Sequence, residues 1–297
     1  MSTNGLDPIV LGHNSFFGVN HLSRKHGASR EAMFDDVSAI VGMMESASAL
    51  DVGAMMMSTH PRAANVTDVV RSSAELRNRW SFYPLLPYIT KYIRQANEKG
   101  MVNIVLDQIK HAGWVQGLSI LARGGLGALT RDYKHVLSTL IGLELAPFSD
   151  LHVKAVFLHD VLTDLALALD IPEVLEVHIT EIGRRFGARA GFATKNLPLL
   201  RSRFERYGFK SPLVLAQINK IGFGMNPSRT ACEQALAGFD GDVMAMGTLA
   251  SGFLRPAEAF PYVFSQPNVR SVVVGVSTAS HAAETFTAIR QYHVAAT

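Results

Sequence analysis

The sequence predicts an α/β protein folded as a single (β/α)8 barrel, also called a TIM barrel. Three observations carry that expectation. Short apolar or β-branched runs recur eight times along 297 residues, at 9–11, 54–57, 82–86, 153–158, 190–193, 213–216, 243–246 and 272–274. Stretches of helical apolar spacing separate them, so consecutive strands are joined by crossovers and run parallel. The runs empty into polar or glycine-bearing turns, which is where barrel enzymes keep their chemistry. A doubly wound open sheet would carry a glycine fingerprint after its first strand, and Gly12 and Gly18 lack that spacing.

Residues 9–11 follow Pro8 and lead into His13, Asn14, Ser15, Phe16, Phe17 and, further on, His21. A polar and aromatic loop placed after a strand is a site candidate. A helix is expected over 30–49. The second strand closes on Ser58, Thr59, His60 and Pro61, before a helix over 65–77. The third closes on Pro87 and Tyr88. Residues 90–150 break the simple repeat, with a helix to 111, an apolar piece near 118–121, a glycine cluster and a helix over 132–145. This stretch reads as an irregular helical insertion within one domain spanning 1–297.

The fourth strand ends on His159 and Asp160, with a helix over 172–186. The fifth ends on Thr194, Lys195 and Asn196; the next helix passes Leu200 and Phe204 and stops at Gly208, a suitable C-cap. The sixth ends on Gln217, Ile218, Asn219 and Lys220, followed by a helix over 228–237. The seventh runs into Gly247, Thr248, Leu249, Ala250, Ser251 and Gly252. The eighth stops at Gly275, and Ser277, Thr278 and Ser280 supply helix caps before an apolar-periodic helix through Ala283, Phe286 and Ile289. Free backbone N–H groups and a helix dipole there suit an anion such as a phosphate. The same residues serve equally well as caps of an ordinary turn.

An apolar content of 48% allows a large core, and only 18% charged residues argues against long disordered tails. The net charge of +3 is spread over scattered Lys and Arg, which excludes a dedicated nucleic-acid surface. A single cysteine, Cys232, excludes an internal disulfide framework and a thiolate metal cluster, and points to the cytoplasm. The N-terminus has neither the basic start nor the apolar stretch of a signal peptide. No apolar run reaches the roughly 18 residues of a membrane span.

The strand ends together offer His13, Asn14, His60, Tyr88, His159, Asp160, Lys195, Asn196, Gln217, Asn219, Gly247 and Ser277. One histidine after a strand is commonly a cap or a solvated side chain. Three, after strands one, two and four, point to a site. Lys220 and Asp160 read as surface or capping residues. Met55, Met56 and Met57 are expected to pack between barrel and helices as flexible filler.

Residues 151–288 resemble the aldo-keto reductase superfamily. Val-Lys-Ala-Val-Phe-Leu-His at 153–159 is similar to that family's fourth strand, which ends in its catalytic histidine. Gly-Ala-Arg-Ala-Gly-Phe-Ala-Thr-Lys-Asn at 187–196 is similar to the fifth, and Ala216-Gln217 to the sixth, whose glutamine touches the nicotinamide carboxamide. Residues 243–254, with Leu249, Gly252 and Leu254 as a Leu-x-x-Gly-x-Leu turn, resemble the seventh. Residues 269–284 resemble the eighth, where the family holds the pyrophosphate or 2′-phosphate of NADP. The resemblance implies NADP as cofactor, held by Gln217, Asn196, Gly247, Leu249, Gly275, Ser277, Thr278 and Ser280.

The first half departs from the family. Met-Met-Ser-Thr-His-Pro-Arg stands where the family has an Asp and then a Tyr after strand two, and Pro87-Tyr88 where it has a Lys on strand three. Of the four catalytic residues only His159 carries over. Ala193-Thr194-Lys195-Asn196 stands in place of the Ser-Asn after the family's fifth strand.

The expected protein is an enzyme acting on a carbonyl-containing small molecule, anionic or phosphorylated if the helix-terminus site is used. In a redox reading, NADP supplies hydride, His60 or Tyr88 replaces the missing proton donor and His159 polarises the oxygen. In a lyase, aldolase or isomerase reading, a desolvated Lys195 forms a Schiff base. In a hydrolase reading, His13, His60 and His159 bind a metal with Asp160 as a further ligand, although no HxH or HExxH spacing is present.

Overall fold

The computed structural model describes residues 5–17, 34–88 and 132–296. The strands β1 (Ile9–Gly12), β2 (Ala54–Ser58), β3 (Ser81–Leu86), β4 (Ala155–Leu158), β5 (Arg189–Thr194), β6 (Leu213–Gln217), β7 (Asp242–Met246) and β8 (Val269–Val274) close into a barrel in chain order. Every neighbouring pair is parallel, including β8 back onto β1. This is the (β/α)8 barrel expected from the alternation.

Around it stand α1 (Val37–Ser48), α2 (Ala63–Ser72), α3 (Ala74–Arg79), α4 (Asp132–Leu145), α5 (Asp160–Leu169), α6 (Pro172–Phe186), α7 (Leu197–Tyr207), α8 (Arg229–Ala237), α9 (Pro256–Ser265) and α10 (Ala279–Ala296). The helix expected over 30–49 begins at α1, where Asp36 accepts from the Ser38 N–H at 2.9 Å. The single helix expected over 65–77 is two: Ser73 is extended, and its hydroxyl caps α3 at Leu76. Strand β4 starts two residues late, because Val153 makes only an isolated bridge to Phe82. Two helices, α5 and α9, were not anticipated. Of the insertion expected over 90–150, α4 has the bounds its spacing predicts, and the part before residue 132 lies outside the described residues.

Side chains alternate across each strand, so the strands build two cores. Val10, Ala54, Met56, Tyr83, Ala155, Phe157, Ala193, Leu213, Leu215 and Met244 fill the barrel interior. Leu11, Met55, Met57, Phe82, Val156, Leu158, Phe192, Val214 and Val272 face the helices. The methionine run is therefore divided, with Met56 inside the barrel and only Met55 and Met57 in the outer layer. Each fully buried side chain of this size contributes about 1.5–3 kcal/mol.

Two polar devices tie the layers together. On α6, His178 Nε2 lies 3.1 Å from the carbonyl oxygens of both Val156 and Gly191, bridging β4 and β5 from outside. At the amino ends of the strands, Tyr83 donates to Asp7 at 2.7 Å and Lys154 pairs with the same carboxylate at 2.8 Å, closing the barrel floor. Inside the barrel, Gly191 is required by packing. A Cβ there would stand 2.5 Å from the Phe157 ring, which belongs to its register partner on β4.

Candidate active site at the carboxyl ends of the strands

Residue alternation along β4 puts His159 on the same inner face as Ala155 and Phe157. Its backbone is extended, and it precedes α5 at the N-cap position. His159 Nδ1 lies 2.6 Å from Asp160 Oδ1. Lys195, just beyond β5, reaches Asp160 Oδ2 at 3.3 Å. Asp160 is thus no surface residue: it is 8% exposed and shared between two partners from neighbouring strand ends. Burial pushes its carboxyl up, but the hydrogen bond and charge of His159 and the charge of Lys195 outweigh that and hold it at about 2.

Lys195 itself is 53% exposed, so the desolvation required by a Schiff-base lysine is not in place. Its backbone N–H donates to Asp164 Oδ2 at 3.0 Å, and Thr194 Oγ1 donates to the other Asp164 oxygen. Burial raises the Asp164 carboxyl above its ordinary range. Asn196 caps α7, its Oδ1 accepting from Leu199 N at 3.2 Å, so this oxygen serves the helix.

The other two histidines stand with His159. His13 is 7% exposed, and its Nδ1 is 3.1 Å from the Met56 carbonyl oxygen. Burial pushes it down to about 4, with the Met56 hydrogen bond opposing and nearby His159 and His60 adding to the fall. A carbonyl only accepts, so Nδ1 carries the His13 proton. His60 stacks on Phe17 with ring centres 4.5 Å apart, and meets Tyr88 edge-on at 4.6 Å. The Arg62 N–H donates to His60 Nδ1 at 3.0 Å, so the neutral ring carries its proton on Nε2. The backbone N–H of Tyr88 donates to Thr59 Oγ1 at 3.0 Å, and Thr59 donates to the buried Glu144 of α4.

The β6–β7 crease has a different character. Gln217 continues the inward face of Leu213 and Leu215. Its amide packs against Gly247, where a Cβ would stand 1.8 Å from Gln217 Oε1. That oxygen is buried and has no hydrogen-bond donor among the described residues. Gly247 is left-handed, as are Ala250, Ser251 and Gly252 beyond it. Leu249 is half-buried against the outer core. Asn219 is fully buried and holds its own turn through two 2.8 Å bonds to the Phe223 backbone, which makes it a structural residue.

Beyond β8, Gly275 lies close to Ser15 of the first loop. Ser277 is half-buried, while Thr278 and Ser280 are exposed. Thr278 Oγ1 accepts from His281 N at 3.2 Å and so caps α10. β7 and β8 are neighbours in the sheet, so their loops lie side by side at the same end of the barrel.

Sequence reasoning missed Glu144 and Asp164 and undervalued Asp160. The signal available for Asp160 was its place directly after the family-like histidine. Among the described residues, no group of three or more His, Cys, Asp or Glu could hold a metal ion, which leaves the hydrolase reading without a ligand set there. No described helix is long and apolar enough to cross a membrane.

No protein-family model and no curated protein sequence matches the chain. Solved structures do. A Pseudomonas aeruginosa protein described as an aldo-keto reductase is similar at TM-score 0.61 and 16% identity, over 97% of this chain and 92% of that one. The holo form of a Bacillus halodurans aldo-keto reductase is similar at TM-score 0.55 and 10% identity, over 88% and 86%. A Bombyx mori aldo-keto reductase in complex with NADP is similar at TM-score 0.54 and 10% identity, over 98% and 88%. What the likeness shows is the fold: the described residues form the closed (β/α)8 barrel of these structures.

Proposed function

We propose that the chain is an NADP-dependent carbonyl oxidoreductase whose proton chemistry is carried by histidines in place of the family's tyrosine. The observation that carries this reading is the gathering of His13, His60 and His159 at one end of a barrel shared with aldo-keto reductases. The residues present fit a nicotinamide dinucleotide. The buried Gln217 oxygen, lodged where Gly247 has no Cβ, is an acceptor without a donor among the described residues, and a carboxamide N–H would satisfy it. Gly247, Leu249, Gly275, Ser277, Thr278 and Ser280 line the two adjoining loops that would hold its phosphates, with the amino end of α10 favouring negative charge. Bound there, the nicotinamide would supply or accept hydride.

The chain's own residues handle the oxygen and the proton. A substrate carbonyl oxygen can accept from His60 Nε2–H, whose tautomer is fixed by the Arg62 amide. His159 exchanges a proton with the same oxygen as it becomes or ceases to be a hydroxyl. His13, buried and uncharged at neutral pH, offers Nε2 as an acceptor and adds no repulsion to a protonated His159. Tyr88 and Phe17 flank His60 and supply apolar contact to the substrate. Lys195, half in solvent, suits an anionic substituent on a small-molecule substrate. Nothing in this chemistry calls for nucleic acid or a membrane, and the reading belongs to a cytoplasmic enzyme.

A fluorescence or calorimetric titration with NADPH tests it, followed by turnover with small aldehydes, ketones and oxo acids. Saturable binding with turnover is the expected result. A protein that neither binds NADPH nor turns over such compounds is not this enzyme.

A further inference from the structure

The contacts of His159 Nδ1 contain a competition. Two groups compete for that nitrogen: Val161 N–H, 3.2 Å away, which needs a lone pair there, and Asp160 Oδ1, 2.6 Å away, which needs a proton there. One nitrogen cannot serve both. Distance and charge favour the carboxylate, because a charge-assisted bond at this length is roughly twice as strong as a neutral one. Val161 loses nothing, since its N–H also reaches Asp160 Oδ1 at 2.9 Å. Lys195 holds the far oxygen of the same carboxylate at 3.3 Å and so helps fix the side chain.

We propose that Asp160 is a positioning residue that locks His159 in the Nδ1–H tautomer and so presents Nε2 to the substrate as a lone pair. The inference rests on the redox reading above and gives His159 its direction. The neutral ring takes the hydroxyl proton of an alcohol on Nε2 and becomes imidazolium. The imidazolium returns that proton when a carbonyl is reduced. Without Asp160, Val161 N–H would donate to Nδ1 instead, and the neutral ring would carry its proton on Nε2. His159 would then resemble His60, whose Nδ1 already accepts from a backbone amide two residues on. The chain thus holds two strand-end histidines in opposite tautomers, one built to donate and one to accept.

Two-bond proton–nitrogen correlation spectra of 15N-histidine-labelled protein read the tautomer directly, with neither substrate nor cofactor present. His159→Gln identifies the resonance. At a pH where the ring is neutral, wild type is expected in the Nδ1–H form, and Asp160→Ala in the Nε2–H form. Lys195→Met leaves Asp160 Oδ1 in place and is expected to keep Nδ1–H. A wild-type Nε2–H pattern overturns the proposal, and so does an Asp160→Ala spectrum unchanged from wild type. If Asp160→Ala does not fold, the wild-type Nδ1 proton decides: a bond of this length to a carboxylate moves it far downfield, and its absence there overturns the proposal. Because no turnover enters the measurement, a failed tautomer prediction is distinct from failure of the oxidoreductase reading.

Discussion

His159 faces both Asp160 and the Val161 amide through one nitrogen, and single changes around it separate chemistry from stability. His159→Gln should leave the melting temperature near wild type, because the ring is partly open and contributes little to the core. Turnover should fall about 100-fold or more, the usual share of a general acid or base; a stopped assay with the substrate found by screening measures it. His13→Gln and His60→Gln should cost less. Lys195→Met makes the opposite test. Its ion pair with Asp160 is half in solvent, so the loss in stability should stay within about 1 kcal/mol by denaturant titration. Near-normal turnover in His159→Gln beside a dead Lys195→Met would move the chemistry to the lysine.

At the scale of elements, the β7 and β8 loops carry the cofactor argument. Gly247 is left-handed at φ 62°, and the Gln217 amide occupies the place of its missing Cβ. Gly247→Ala should therefore displace Gln217 and weaken NADPH binding at least tenfold in a calorimetric titration, with a strain cost of about 1–3 kcal/mol. Thr278→Glu puts a negative charge at the amino end of α10 and should repel the phosphates, with loss of the hydroxyl that caps the helix. Unchanged NADPH affinity in that variant would reduce the corner to a capped turn.

The strands are legible in the sequence because parallel strands buried on both faces read as near-continuous apolar runs, as in Ala-Met-Met-Met and Val-Val-Val. The hidden helices have identifiable reasons. α5 starts directly after β4 without a spacer and has a histidine at its N-cap. α9 carries Pro256 and Pro261, which read as loop. His13, His60 and His159 are legible as strand-end residues. Glu144 and Asp164 are not, since both lie on helices: Glu144 is 85 positions from Thr59 and Asp164 is 30 from Thr194. Only the closed barrel brings those pairs together.

For the whole molecule, two buried histidines set the response to acid. His13 and His178 are held at about 4 chiefly by burial, against an ordinary value of 6.5. Above 6.5 both are neutral whether folded or unfolded, so they give stability no slope. Between 6.5 and 4 the unfolded chain takes the protons first, so stability falls as pH falls, by roughly 3 kcal/mol for each ring. Thermal melts from about pH 7 down to about pH 4 should show this loss; below that, protonation of Asp160, held at about 2 in the folded chain, adds a further fall. In His178→Leu the chain should be less stable at neutral pH, having lost the bridge to Val156 and Gly191, yet have a shallower acid slope.

The Phe157 ring, leaning over Gly191 one layer below His159, has a consequence for how such a protein changes its chemistry. A single methyl at 191 would stand 2.5 Å from the ring, so the ring must shift in the layer just below His159. If His159 meets a substrate as proposed, the surroundings of that substrate are adjustable from below, without altering any of the three histidines. Directed evolution confined to the polar rim would overlook Gly191, where one carbon atom has leverage over the layer on which His159 stands.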